Sequence, residues 1–143
     1  MIWLLRHGDA EDGSPDAERP LTGNGERQAR AAGAALAGIG VRIEACLTSP
    51  KVRAAQTARL ACAALGVEPV VEAALSGGPF DAVELSAGLE QVLLVGHDPD
   101  FSMAVHALTG AQVRMKKGGL AAVDNGELIV LLRPRELEQI SPG

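Results

Sequence analysis

The sequence predicts an α/β fold: a three-layer α/β/α sandwich whose mostly parallel sheet ends in an antiparallel C-terminal hairpin. Three observations carry this. Short apolar runs at residues 2–5, 44–48 and 91–95 alternate with longer stretches of helical periodicity. That alternation is the pattern of βαβ units, whose parallel strands are covered on both faces. The tail instead holds two apolar runs, 119–124 and 127–132, split by Asn125-Gly126, a strong hairpin signal.

Met1-Ile2-Trp3-Leu4-Leu5 is apolar and meets Arg6-His7-Gly8, so residues 2–5 read as a buried strand entering a tight loop. Residues 9–20, with Asp9, Glu11, Asp12, Gly13, Ser14 and Pro15, read as a polar loop. Thr22 can cap a helix over 23–38, on which Ala29, Ala32, Leu36 and Ile39 share one apolar face. Gly38 and Gly40 stop it. After the strand at 44–48, Ser49-Pro50 joins a capping residue to a first-turn proline and predicts a helix over 50–65, ended by Gly66. Residues 67–71 predict a third strand. Beyond the Gly77-Gly78-Pro79 break, a short helix falls near 80–87. Val92-Leu93-Leu94-Val95 forms the fourth strand, and Asp98-Pro99 repeats the cap-plus-proline signal for a helix to residue 108. The whole chain, 1–143, reads as one domain.

Bulk properties exclude several function classes. Hydrophobic residues make up 47% of the 143 and charged residues 22%, as in soluble globular proteins. Aromatic residues are only 2%, so Ala, Leu and Val must build the core, and platforms for stacking bases are scarce. The net charge of −5 and the lack of a basic run argue against nucleic-acid binding. No stretch approaches the ~20 apolar residues of a membrane span, and the apolar start is too short for a signal peptide. Cys46 and Cys62 lack metal or redox spacing and read as small buried hydrophobes in a reducing compartment. The expected location is the cytoplasm.

The chemistry-bearing residues gather at three strand ends. Arg6-His7-Gly8 follows the first strand, Ser49-Pro50-Lys51-Val52-Arg53 the second, and Gly96-His97-Asp98-Pro99 the fourth. Ligands of open α/β sheets bind beyond the carboxyl ends of the strands, so two arginines and two histidines should meet at one rim. Such a rim suits phosphoryl transfer, in which charge spreads over oxygens that fixed cations stabilise. Arginine's planar fork matches those oxygens in pairs. Arg53 also falls in the first turn of its helix, where free amides favour an anion. A histidine nucleophile divides one displacement into two through a phosphohistidine, which requires no metal and no cofactor. On these residues alone, either histidine can be the one that attacks.

Arg6-His7-Gly8 resembles the signature of the histidine phosphatase superfamily, the phosphoglycerate mutase-like proteins. Ser49-Pro50 with Arg53-Ala54, Gln56-Thr57 and Ala58 is similar to that family's second block, and Gly96-His97 to its third. Residues 6–10, Arg19-Pro20-Leu21-Thr22 with Gly25, and the Lys116-Lys117-Gly118-Gly119-Leu120-Ala121 segment resemble the small bacterial phosphohistidine phosphatases of the SixA type. The resemblance spans essentially the whole chain. It implies that His7 is the nucleophile, that Arg6 and Arg53 bind phosphoryl oxygens, that His97 donates a hydrogen bond to them, and that Arg19 is a substrate-side arginine. It further implies removal of phosphate from the phosphohistidine of a signalling phosphotransfer protein, with a small phosphate compound as the alternative substrate.

The resemblance thins at the general acid. Larger relatives carry a glutamate in an insertion after the third strand, and the stretch between Val71 and Gln91 is too short for such a lid. Asp98 and Asp9 are the candidate acids; Asp98 has a competing role as a cap ahead of Pro99, and Glu72 and Glu84 have no motif behind them. An alcohol leaving group needs a proton in the transition state, whereas the imidazole of a phosphohistidine is protonated easily near neutral pH. A site without a fixed acid therefore favours phosphoamidates. Two other classes compete: a phosphate-binding module without turnover, and a metal hydrolase using His7, His97 and Asp98, which the flanking arginines oppose. Gln56 and Thr57 read as orienting Arg53, while His106, Lys116 and Lys117 read as surface residues.

Overall fold

The computed structural model describes residues 1–141. In chain order the elements are β1 (Ile2–Arg6), α1 (Gly23–Gly38), β2 (Ala45–Thr48), α2 (Val52–Leu65), β3 (Pro69–Val71), α3 (Ala82–Leu85), β4 (Val92–Gly96), α4 (Asp100–Thr109), β5 (Leu120–Asp124), β6 (Glu127–Leu132) and α5 (Pro134–Ile140). Short 3-10 turns lie at Asp16–Glu18 and Ala73–Leu75. The six strands form one sheet in the order β3-β2-β4-β1-β5-β6. Pairings β2–β3, β2–β4 and β1–β4 are parallel, and β1–β5 and β5–β6 are antiparallel. This is the α/β sandwich that the sequence predicts, with its antiparallel hairpin at the C-terminal end.

The period of two along each strand sorts side chains into two cores. Trp3, Leu5, Cys46, Leu93 and Val95 face the layer built by α1, α2 and α5, where Ala32, Leu36, Ala58, Ala61 and Leu137 meet them. Leu4, Val92, Leu94, Ala121 and Val123 face the other layer, against Phe101, Val105, Leu75 and Met115. The alanine-rich faces of α1 and α2 let these helices pack closely, and a Cβ on Gly33 would run into the backbone of Ala61. Cys46 and Cys62 are free thiols inside the first core.

Local signals place most boundaries well. Thr22 caps α1 by accepting from the Gly25 amide at 3.0 Å. Gly66 ends α2 with a left-handed φ of 71°, and Asn125-Gly126 turns the hairpin at φ 49° and 75°. Two expectations are corrected and one helix is added. The helix expected from residue 50 begins at Val52, because Ser49 and Pro50 remain in the turn that leaves β2. Ile39, expected on the apolar face of α1, is 54% exposed, since it lies past the last turn as the C-cap. Helix α5 was not expected at all; Pro134 in its first turn and the pairing of Arg133 with Glu136 start it, and Leu137 anchors it in the core. Among the described residues, no helix is long and apolar enough to cross a membrane.

Candidate active site

The sheet order makes β2, β4 and β1 direct neighbours, all pointing the same way, so their carboxyl ends share one rim. Register then sets the side chains. Arg6 pairs with Gly96 and Thr48 with Val95, and the ladder continues past the strands as His7 N–H donates to Gly96 O (2.9 Å) and Ser49 N–H to Val95 O (3.0 Å). The His7 and His97 rings consequently lie 5.2 Å apart between centroids, tilted by 56°. Both rings and Arg53 are buried, at 6%, 7% and 6% exposure. The structure thus brings together His7, His97, Arg6 and Arg53, the four residues proposed from the motifs.

His7 is held by its own loop. Its Nδ1 lies 2.8 Å from Gly8 O; a carbonyl only accepts, so Nδ1 carries the hydrogen, and in the neutral ring Nε2 keeps its lone pair. Burial, with the charges of Arg53, Arg6 and Lys117 nearby, lowers the His7 pKa to about 4, although the Gly8 hydrogen bond opposes the shift. Gly8 must be glycine for packing reasons: an added Cβ would stand 2.6 Å from Gly25 O in α1. The loop is further tied down by Gly8 N–H donating to Thr57 Oγ1 (3.1 Å) and Gly118 N–H to His7 O (2.9 Å).

Two arginines, Arg53 buried and Arg6 half-buried, place their charges near this ring, each with an unspent donor. Arg6 Nη1 donates to Met115 O (2.8 Å), and Arg53 Nη1 and Nη2 donate to Asp16 O (2.9 Å) and Asp16 Oδ2 (3.2 Å). The Nε of each arginine is buried without a hydrogen-bond partner among the described residues. Buried charged donors are costly to leave unmatched, and oxyanion oxygens are their natural complement. Thr57, one turn along α2, donates to Arg53 O (2.8 Å) while accepting from Gly8, and so stitches the arginine's helix to the histidine's loop. Gln56 accepts from Leu21 N–H (2.8 Å) and fixes the far end of the 9–20 loop.

His97 is anchored through Ser49. Its Nε2 lies 2.7 Å from Ser49 Oγ, which also accepts from Lys51 N–H (3.2 Å). Burial lowers the His97 pKa to about 3, helped by His7, Arg53 and Lys51 and opposed by Asp16. Two neutral histidines are the outcome expected where several fixed cations already crowd a buried pocket.

The remaining candidates stand further from the rings. Arg19 spends its donors within its loop, Nε on Asp16 Oδ1 (3.0 Å) and Nη1 on Glu11 O (3.0 Å), so it reaches the cluster only through Asp16. Asp98, expected as the cap of α4, lies one residue before the actual N-cap, Pro99, and from there its Oδ1 accepts from both Ser102 N–H (2.9 Å) and Ser102 Oγ (2.6 Å). Asp9 Oδ2 accepts from Thr22 Oγ1 (2.9 Å), and its Oδ1 lies 3.6 Å from Lys117 Nζ. Glu72 accepts from Ala74 N–H within its own turn, Glu84 is exposed, and His106 is exposed on α4. Among the described residues no three His, Cys, Asp or Glu side chains converge as a metal-holding group. Sequence reasoning missed the contact of Ser49 with His97 and the role of Asp16. Ser49 had a visible capping signal that masked its second contact, and Asp16 showed only its three-residue spacing from Arg19.

Comparisons with known proteins agree with this geometry. The family model of the histidine phosphatase superfamily (branch 1) matches residues 2–87. An uncharacterized protein of Picosynechococcus is 35% identical over 161 aligned residues, covering 95% of this chain and 98% of that protein. The phosphohistidine phosphatase SixA of Escherichia coli is 45% identical over 58 residues, 40% of this chain and 36% of its own length. The structure of the protein histidine phosphatase SixA complexed with tungstate superposes with a TM-score of 0.82 at 29% identity, covering 95% of this chain and 98% of that one. A match over more than half the chain, on a fold whose strand ends gather the motif residues, shows that the chain belongs to the histidine phosphatase superfamily, in its SixA-like branch.

Proposed function

We propose that this phosphatase transfers a phosphoryl group to His7 Nε2 and that its substrate is the phosphohistidine of a signalling phosphotransfer protein. The observation that carries the reading is the His7 ring itself: Gly8 O engages Nδ1, which leaves the lone pair on Nε2, and burial beside the charges of Arg53 and Arg6 keeps the ring neutral. Nε2 attacks phosphorus while the bond to the leaving nitrogen breaks; that nitrogen keeps the electron pair, and its ring leaves as neutral imidazole, with the proton already carried on its other nitrogen or taken from water. Arg6 and Arg53 stabilise the equatorial oxygens, and His97 supplies a further hydrogen bond. Water then attacks the phosphohistidine, orthophosphate leaves, and neutral His7 is restored. Neither step asks for a metal or a cofactor.

Two features support the nitrogen-bound substrate. Asp98 and Asp9, the candidate acids, are both engaged as hydrogen-bond acceptors, Asp98 from Ser102 and Asp9 from the Thr22 hydroxyl, which suits a leaving group that needs little help with its proton. The chain between β3 and β4 holds only a 3-10 turn and the four-residue α3, leaving the rim open to a side chain presented by another protein.

The test is a rapid-quench comparison of a phosphohistidine-bearing phosphotransfer protein with a panel of phosphate monoesters. Acid-labile, alkali-stable phosphate on His7, absent in His7→Ala and resistant to chelator, is the expected result. Faster turnover of sugar phosphates would move the substrate to small metabolites while keeping His7. Binding without turnover would identify a phosphate-binding module, and chelator-sensitive activity restored by zinc or manganese would identify a metal hydrolase.

A further inference from the structure

The 9–20 loop sends one side chain into the cation cluster from outside. Asp16 lies in a 3-10 turn against α2, and its carboxylate meets three cations: Arg53 Nη2 at 3.2 Å, Arg19 Nε at 3.0 Å and Lys51 Nζ at 3.9 Å. Its own backbone carbonyl accepts from Arg53 Nη1 at 2.9 Å. Asp16 therefore grips the two terminal nitrogens of Arg53 at once, end-on, through a main-chain and a side-chain oxygen.

A guanidinium has two usable edges. The end-on edge presents one hydrogen from each Nη; the side-on edge presents Nε–H together with the second hydrogen of Nη2. Asp16 takes the first edge. The second is left, and its Nε is the buried nitrogen that finds no partner among the described residues. Because the guanidinium is planar, fixing one edge fixes the direction of the other.

We infer that Asp16 is a positioning residue for phosphoryl transfer, clamping Arg53 end-on so that its side-on Nε/Nη2 fork faces the phosphoryl oxygens. Two alternatives fit less well. Asp16 is a poor general acid, since hydrogen bonds from Arg19 and Arg53 hold its carboxyl below the usual range and keep it ionised. A competing plug in the phosphate seat would be expected to cover the side-on edge, which Asp16 leaves alone. The clamp also explains where Arg19 enters: it holds the opposite carboxylate oxygen, Oδ1, and so steadies the clamp rather than touching substrate.

This inference rests on the phosphatase reading but can be tested separately from it. Full-length wild type, Asp16→Ala, Arg53→Ala and the double variant are compared for phosphoramidate hydrolysis, tungstate affinity by calorimetry, and Tm. Losing hydrogen bonds to a charged group should weaken tungstate binding and lower kcat/KM in Asp16→Ala by about 10- to 100-fold. In the Arg53→Ala background the same change should cost almost nothing further, because the residue it positions is gone. Asp16→Asn, which keeps one carbonyl oxygen and disturbs the loop least, should recover part of the loss and serves as the second variant if Asp16→Ala folds poorly. An Asp16→Ala penalty of equal size with and without Arg53 would overturn the clamp, as would tighter tungstate binding in Asp16→Ala. If wild type binds tungstate but forms no phosphate adduct on His7, the functional reading fails while the coupling in tungstate affinity still decides the clamp.

Discussion

His97 Nε2 lies 2.7 Å from the hydroxyl of Ser49, a fully buried serine at the end of the neighbouring parallel strand. That hydroxyl also accepts from Lys51 N–H, so it is oriented by the turn that leads into α2 and holds the imidazole in turn. A buried ring without this partner can rotate, and its Nε2 is left unmatched. Ser49→Ala is expected to lower kcat about 10-fold with a smaller change in KM, while Ser49→Thr recovers part of it. Steady-state kinetics with a phosphohistidine substrate checks this; an unchanged kcat would detach Ser49 from the chemistry.

Arg53→Ala should reduce turnover on the order of 10²–10³-fold, the scale found for preorganised anion-stabilising groups. Arg53→Lys should remain damaging, because an ammonium cannot grip Asp16 and a phosphoryl group on two separate edges. Single-turnover phosphorylation of His7 is the measurement. A loss of less than about threefold in Arg53→Ala would place the arginine outside the transition state.

The histidine shifts predict a direction for stability against pH. His7 falls to about 4 and His97 to about 3 in the fold, against 6.5 for the ordinary side chain. Between these values the unfolded chain binds more protons than the folded one, so stability rises as pH increases from about 3 to 6.5, the His7 part of it above about 4. It falls again on acidification through the same window. The His7 part is on the order of 3 kcal/mol at full effect. Urea midpoints at pH 4.5 and 7.5 test it: His7→Ala or His97→Ala should flatten the dependence, and an equally steep curve in both variants would assign it to other groups.

Gly8→Ala should destabilise the protein by about 1–3 kcal/mol, since the new methyl would meet the α1 backbone at Gly25 O and Cα rather than a flexible side chain. The strained loop should also shift His7 and cut its phosphorylation. Thermal unfolding gives the first effect and quench-trapping the second. A neutral substitution would mean that α1 yields at little cost.

Asp98→Ala separates capping from acid catalysis. Loss of the acceptor for Ser102 should cost about 1 kcal/mol, while phosphoamidate turnover is retained. A fall of roughly 10²-fold or more would instead mark Asp98 as the proton donor.

Much of this molecule was legible from local chemistry. The ends of α1 follow from Thr22 and the glycines after Leu36, the end of α2 from Gly66, and the hairpin from Asn125-Gly126, because caps and turns depend on a handful of adjacent residues. The gathering of His7, Arg53 and His97 was also legible, since parallel strands direct their carboxyl ends to one rim. Helix α5 was missed although Pro134 and Glu136 signal its start, because a seven-residue helix shows too little periodicity and depends on burying Leu137.

Other features belong to tertiary structure alone. Asp16 reaches Arg53 across 37 positions and Ser49 reaches His97 across 48, and neither spacing follows any helical or strand period. Composition, periodicity and turn residues determined the layers, the strand ends and which candidate side chains stand there, because those depend on contacts within a few residues. Packing of the 9–20 loop against α2, and the register of β2 on β4, decided which edge of Arg53 is free and which hydroxyl holds His97. Such pairings are made through space, after the backbone has closed, and only the folded chain contains the distances that select them.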